Sequence, residues 1–221
     1  MTLIKSISGI RGTIGGKPDE GLTPLDIVKY VSAYGTWVIK NAGAQKTVTV
    51  VIGRDARISG PMVSSIVSGT LSGLGTHVID LELSTTPTVE MAVTELKAQG
   101  GIILTASHNP KQWNALKLLN QEGEFISDAT GQEILKLAET SEFNYAEVNK
   151  LGTVTSNTGF LATHIQKILD LPYVDVKAIK KANLTVVVDA INSSGGIAVP
   201  ALLEKLGVKN ITVIHGEPTG N

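Results

Sequence analysis

The sequence predicts an α/β protein: a mixed, largely parallel sheet flanked by helices, with part of a second α/β domain after it. The first observation behind this is a set of short apolar runs bounded by turn residues. Residues 48–52, 78–83 and 102–104 have the length and composition of strands buried in a sheet. The second is that the segments between them carry apolar residues at helical spacing and open on capping or turn residues. The third is their order. Helix, strand, helix, strand, helix, strand is the alternation that lays helices over a largely parallel sheet.

Composition narrows the class of function. The 221 residues suffice for one large domain, or for one domain and part of another. Apolar residues make up 42% and charged residues 18%, the balance of a folded chain. A net charge of −1 gives no basis for a nucleic-acid or anionic-membrane partner. The absence of cysteine excludes disulfides, thiolate chemistry and cysteine-ligated zinc. His77, His108, His164 and His215 are too scattered for a paired ligand motif on a helix. Lys5 and Arg11 precede no continuous apolar core, so no signal peptide is expected, and no apolar run approaches the roughly 18 residues that span a bilayer. A soluble cytoplasmic protein is expected; the oligomeric state stays open.

Each element follows from local signals. Thr23 suits an N-cap and Pro24 the first position of a helix with Leu25, Val28, Val31 and Trp37 on its buried face, ended by Asn41-Ala42-Gly43. After the strand at 48–52, Gly53-Arg54-Asp55-Ala56-Arg57 reads as a charged loop held by its own Arg–Asp pairs. Ser59 caps a helix over 60–73 with Met62, Ile66, Val67 and Leu71 inward. The strand at 78–83 leads to a helix from Thr86-Pro87 to about Lys97, carrying Val89, Val93 and Leu96 inward. Gly100-Gly101 enters the strand at 102–104. Residues 111–119 are a loop entering a strand, Glu122-Gly123 is a hairpin turn, and Asp128 caps a helix through Ala138.

The polar, irregular stretch 141–158 marks a boundary between domains at 1–150 and 151–221. Beyond it Leu161, Ile165, Ile168 and Leu169 stand at helical spacing. Residues 184–188 form a strand ending in Asp189, Leu202, Leu203 and Leu206 belong to a helix, and 211–214 form a last strand. The glycine-rich turn at 189–196 sits between strand and helix, a place that can hold an anion. It lacks a Gly-x-Gly-x-x-Gly fingerprint and is read as architectural.

The chemistry concentrates where the strand at 102–104 runs into Thr105-Ala106-Ser107-His108-Asn109-Pro110. Pro110 biases Asn109 away from helix, so a tight turn follows the strand. Ligands of open α/β sheets lie beyond the carboxyl ends of the strands. Ser107 would stand there, with His108 and Asn109 as polar neighbours; an ordinary polar turn has the same pattern. Near the N-terminus, Ser8-Gly9-Ile10-Arg11-Gly12-Thr13 sets two glycines around an arginine that could clamp a phosphate. Read alone it is a flexible turn. It is not a P-loop, because Arg11 replaces the first glycine, Pro18 follows Lys17 and no strand is expected before it.

Residues 105–110 resemble the phosphoserine loop of the α-D-phosphohexomutases, which include phosphoglucomutase, phosphomannomutase and phosphoglucosamine mutase. Gly9-Ile10-Arg11-Gly12 is similar to the family's N-terminal turn, and residues 53–57 to its Gly-Arg-Asp-x-Arg motif. Asn114 and Lys117 match an Asn-Gly-x-Lys pattern in which Ala115 replaces glycine, making a positive-φ turn less comfortable there. The resemblance implies a phosphotransferase that interconverts hexose 1-phosphate and hexose 6-phosphate of glucose, mannose or glucosamine. Ser107 would carry the phosphoryl group, with Lys117 and Arg11 as its catalytic partners. His108, Asn109, Asn114, Arg54 and Arg57 would support the site or the phosphosugar, Arg54 and Arg57 chiefly as structure. It also implies Mg2+ held through the phosphate on Ser107, and a hexose 1,6-bisphosphate as intermediate and activator. The family's proteins have four domains, and their Asp-Gly-Asp-x-Asp-Arg metal loop does not occur in this sequence. An N-terminal fragment, inactive alone, is therefore expected. Two other readings stand beside it: a non-catalytic sugar-phosphate-binding module, and a serine hydrolase pairing Ser107 with His108 but lacking a Gly-x-Ser-x-Gly elbow.

Overall fold

The computed structural model describes residues 1–6, 9–43 and 47–221. In chain order its elements are β1 (Ile4–Ser6), β2 (Gly9–Thr13), α1 (Pro24–Asn41), β3 (Thr49–Arg54), α2 (Gly60–Gly73), β4 (His77–Leu83), α3 (Thr86–Glu95) and β5 (Gly100–Leu104). There follow β6 (Trp113–Leu119), α4 (Asp128–Thr140), a 3-10 turn at Val148–Lys150, β7 (Val154–Ser156), α5 (Phe160–Leu169), α6 (Val176–Ala182), β8 (Thr185–Asp189), α7 (Gly195–Lys205) and β9 (Asn210–Ile214). One sheet has the order β1-β2-β6-β5-β3-β4-β7, and β8 pairs in parallel with β9. The expected mixed sheet is parallel across β5-β3-β4-β7 and antiparallel across β1-β2-β6-β5. Helical crossovers serve the parallel pairs β3–β4 and β3–β5, and the antiparallel β5–β6 pair needs only a short loop.

Each face of the sheet has its own core. On one, Val50, Ile52, Ile102, Leu104, Leu116 and Leu118 meet α1, α2 and α4 through Ile27, Tyr34, Val67, Leu71 and Ile134. On the other, Val51, Ile103 and Leu119 meet Val89, Ala92 and Val93 of α3 and Phe160 of α5. Successive strand residues point to opposite faces. The odd-numbered residues 103, 117 and 119 therefore belong to the α3 side, which is the side of the cleft described below.

Local chemistry explains the helix starts. Thr23 accepts a hydrogen bond from the Asp26 N–H while the Asp26 carboxylate accepts from the Thr23 N–H, closing a capping box in front of Pro24. The buried stripe of α1 runs through Ile27, Tyr30, Val31, Tyr34 and Val38, so Leu25 is exposed rather than inward, and Met62 likewise lies at the rim of α2. Ser127, and not Asp128, caps α4, because its side chain accepts from the Thr130 N–H. The fully buried Tyr34 hydroxyl bridges the Gly101 and Leu119 carbonyls at 3.0 and 2.7 Å. A Cβ at Gly100 would lie 2.3 Å from that hydroxyl, which is why glycine opens β5.

The run expected as an N-terminal turn is a strand from Gly9 onward; Ser8 lies outside the described residues. Gly9 has φ +109°, and a Cβ there would approach the Leu116 carbonyl oxygen to 2.2 Å. Its small size serves close contact with β6 rather than a ligand. β1, β7 and α6 carried no sequence signal strong enough to be read. The division at residue 150 falls between the 3-10 turn and β7, which pairs with β4 and carries the first sheet to Ser156.

His164 joins α5 to α3 through a 2.9 Å hydrogen bond with Thr88, and burial holds its pKa below the usual 6.5. The neutral ring is therefore favoured by folding. Its contribution to stability is complete above pH 6.5 and is lost as pH falls toward the lower folded value. Urea midpoints measured from about pH 8 to pH 5 should fall across that window, and His164→Gln should remove this component of the slope.

Candidate active site

β5 is the strand where the parallel and antiparallel halves of the sheet meet, and the serine loop leaves its carboxyl end. Ser107 is exposed and left-handed, with φ +54°. An L-residue adopts that conformation only where its surroundings hold it. Its N–H donates to Thr105 Oγ1 at 3.1 Å, and the Asn109 N–H donates to the Ala106 carbonyl at 3.0 Å.

Arg57 holds the loop from behind. Its Nη2 donates to the carbonyls of Ser107 and Asn109, each at 2.8 Å, and its Nη1 to those of Pro110 and Trp113 at 2.8 and 3.0 Å. Its Nε pairs with Asp55 Oδ2 at 3.1 Å, and its side chain is only 10% exposed. The Arg–Asp pairing expected within residues 53–57 is thus present, and its arginine also gathers four carbonyls from the serine loop and the start of β6. Arg54 differs: its Nη1 reaches the Asp55 carbonyl at 3.3 Å, and it lines a separate depression with Asp80 and Glu82.

Strand register locates the two expected cations. Arg11 pairs with Ala115, and its neighbour Ile10 faces the three-helix core, so Arg11 belongs to the α3 side. Lys117 pairs with Ile103 and belongs to the same side. Arg11 Nε is buried with no hydrogen-bond partner among the described residues. Lys117 Nζ stands 5.6 Å from the Phe125 ring centroid and near Glu90, whose carboxyl is pushed up by burial while Lys117 opposes that shift. His108 is exposed and Asn109 half-buried. Asn114 is fully buried on the opposite face of the sheet, donating to Ser59 Oγ at 2.9 Å, where it ties β6 to the start of α2. Ala115 lies inside β6 without a positive φ, so alanine is at ease there.

Ser107, Thr105, Asp55 and Ile103 form one wall of a cleft of ≈ 290 Å³. The loop between β8 and α7, including Asp189, Ser193 and Ser194, forms the facing wall. Sequence reasoning gave that loop an architectural role and missed that it faces the serine. Asp189 accepts from the Ile191 N–H and pairs with His215, both at 3.0 Å, which together hold its carboxyl below the ordinary range. Among the described residues no three His, Cys, Asp or Glu side chains cluster to hold a metal ion. The nearest carboxylate to the serine loop, Asp55, is already committed to Arg57 and Thr105.

The fold is thus an α/β sheet with an exposed, left-handed serine at the end of a central strand. Residues 3–145 match the family model described as phosphoglucomutase/phosphomannomutase, alpha/beta/alpha domain I. The chain belongs to the phosphoglucomutase/phosphomannomutase family. A phosphoglucomutase/phosphomannomutase of Thermococcus kodakarensis is 36% identical over 95% of this chain and 45% of its own length. A phosphoglucosamine/phosphogalactosamine mutase of Sulfurisphaera tokodaii is 34% identical over 93% of this chain and 43% of its own. The chain thus spans somewhat under half the length of these relatives. The crystal structure of a family protein from Burkholderia thailandensis shares the fold, with a TM-score of 0.79 at 24% identity over all of this chain and 46% of that one. No helix among the described residues is long and apolar enough to cross a membrane.

Arg57→Ala would remove a donor from four carbonyls, of which that of Pro110 keeps the Trp113 N–H, and would leave the Asp55 carboxylate without its charged partner. A loss of about 3–5 kcal/mol is expected from urea denaturation, the scale of breaking a buried pair from one side. Arg54→Ala, which removes a single carbonyl contact, should cost distinctly less.

Proposed function

We propose that this chain belongs to a phosphohexomutase that interconverts hexose 1-phosphate and hexose 6-phosphate, with Ser107 as the residue that carries the phosphoryl group. The observation that carries the reading is Ser107 itself, exposed in a left-handed conformation on the cleft at the end of β5. Family membership supports the phosphohexomutase activity. Glucose, mannose and glucosamine phosphates all fit the proposal.

In the transfer, the bond between Ser107 Oγ and phosphorus breaks while phosphorus bonds to a free hydroxyl of the sugar phosphate. The hydroxyl proton leaves to a base and Ser107 Oγ takes up a proton, giving a bisphosphate; the reverse step returns the other phosphate to the serine. Such transfers depend on in-line positioning and on neutralising charge. A phosphoserine carries roughly −1.5 to −2 charges at neutral pH. Arg11, with its unpartnered Nε among the described residues, and Lys117 are cations that β2 and β6 place on the α3 side. Lys117 is also the candidate acceptor of the hydroxyl proton. Magnesium on the phosphate is part of the proposal, and the described residues offer no donor cluster to hold it. For the same reason the 221-residue chain alone is expected not to sustain turnover.

A hydrolase would need Ser107 bonded to its base. Among the described residues Ser107 bonds through its N–H to Thr105 and not to His108, and under the mutase reading a fluorophosphonate probe should not label it. Incubation of the whole protein with a hexose 1,6-bisphosphate should add a phosphate seen by intact-mass analysis and lost in Ser107→Ala; an adduct that persists in the variant would move the site elsewhere. Lys117→Met should lower turnover by roughly 10²-fold with the fold intact. Unchanged turnover would leave Lys117 as a partner of Glu90 and Phe125 only.

A further inference from the structure

The geometry points to Thr105 as the positioning residue for Ser107, acting with Asp55 and Arg57 to lock the serine's backbone; the inference rests on the phosphoserine reading above. Both ends of the Ser107 backbone enter one closed ring of hydrogen bonds. On one side, the Ser107 N–H donates to Thr105 Oγ1 at 3.1 Å, and the Thr105 hydroxyl donates to Asp55 Oδ2 at 2.6 Å. On the other, Arg57 Nη2 donates to the Ser107 carbonyl at 2.8 Å, and Arg57 Nε closes the ring on Asp55 Oδ2 at 3.1 Å. A second bond, from the Arg57 N–H to Asp55 Oδ1 at 3.0 Å, fixes the carboxylate itself.

The proton positions in this ring are determined. An ionised carboxylate only accepts and a guanidinium only donates. The single Thr105 proton must therefore go to Asp55, which leaves the hydroxyl lone pairs free to accept from Ser107. Hydrogen bonds to charged groups are the stronger kind, so the ion pair holds the hydroxyl in the one orientation that suits the Ser107 N–H. Thr105 and Asp55 also line the cleft beside Ser107. They fix its backbone and leave the Ser107 side chain outside the ring. A left-handed backbone is unfavourable for an L-residue, and the ring acts on Ser107 directly, beside the Asn109 N–H bond to the Ala106 carbonyl that closes the turn. A reacting oxygen displaced by about 1 Å can cost on the order of 10²-fold in rate, so the ring would set transfer rate as well as loop shape.

Thr105→Val and Thr105→Ser separate this role from simple packing. Valine keeps the shape and loses the hydroxyl; serine keeps the hydroxyl and loses a methyl group. In the whole protein, the rate of Ser107 phosphorylation by a hexose 1,6-bisphosphate should fall by about 10–100-fold in Thr105→Val and stay within about threefold of wild type in Thr105→Ser. Urea midpoints of the two variants should remain similar to each other. The activity-independent readout is amide hydrogen exchange at Ser107, measured on the same whole protein. It should speed up severalfold in Thr105→Val and remain near wild type in Thr105→Ser. Unchanged exchange and unchanged phosphorylation in Thr105→Val would overturn the inference, as would equal losses in both variants. If the wild-type protein takes no phosphate on Ser107, the phosphoserine reading fails, and the exchange rates alone still decide whether Thr105 holds the loop.

Discussion

The Asp55–Arg57 ion pair is the interaction on which the serine side of the molecule depends. Alone, an arginine this well buried would be a liability, since desolvation disfavours its charge. Here the aspartate supplies the counter-charge, and carbonyls from the serine loop and the start of β6 take the remaining donors. A carbonyl that cannot reach another strand or water needs a donor from somewhere. Arg57 provides donors in a rigid planar fork that an ammonium could not reproduce. The arrangement links the loop after β3 to the loop after β5, whose parent strands are already neighbours in register.

The sheet explains why the site lies where it does. β5 has a parallel neighbour on one side and an antiparallel neighbour on the other. The parallel side brings the loop after β3 alongside the serine loop, because both strands end at the same edge. The antiparallel side brings β6 back at once, and with it Lys117 opposite Ile103; β2, antiparallel to β6 again, adds Arg11. Residues far apart in sequence thus share one face of the sheet by register alone. The facing wall comes from the β8–α7 loop, beyond the first sheet altogether.

Much of the fold was legible because its helices and central strands announce themselves. Thr23-Pro24, Ser59-Gly60 and Thr86-Pro87 open the three helices that precede β5, and α2 begins and ends where the pattern indicates. The edge strands were not legible, since β1 and β7 are three residues each and exposed. β2 was hidden by its glycines, which look like a turn, whereas Gly9 serves close packing against β6 and Gly12 close packing against Gly21 and Leu22. Leu25 illustrates another limit: spacing alone admits several stripes on α1, and contact with the sheet selects the one through Ile27 and Tyr34. At the site, the serine loop was readable from its residues. The Thr105 contacts were not, because a threonine at the end of a strand has no signature until its neighbours are known. Asn114, expected among the supporting residues, stands fully buried against Ser59 on the opposite face.

The brevity of the β5–β6 connection has a consequence for motion. Ser107 is three residues beyond Leu104, so even a fully stretched chain could carry it only about 10 Å from the end of β5. The loop's other end is fastened at Trp113, and the carbonyls held by Arg57 shorten the tether further. Ser107 is in effect a stationary post. Under the proposed phosphoserine reading, a sugar phosphate in the cleft would have to bring each of its reacting ends to that post, by turning in place or by being carried on a wall that moves.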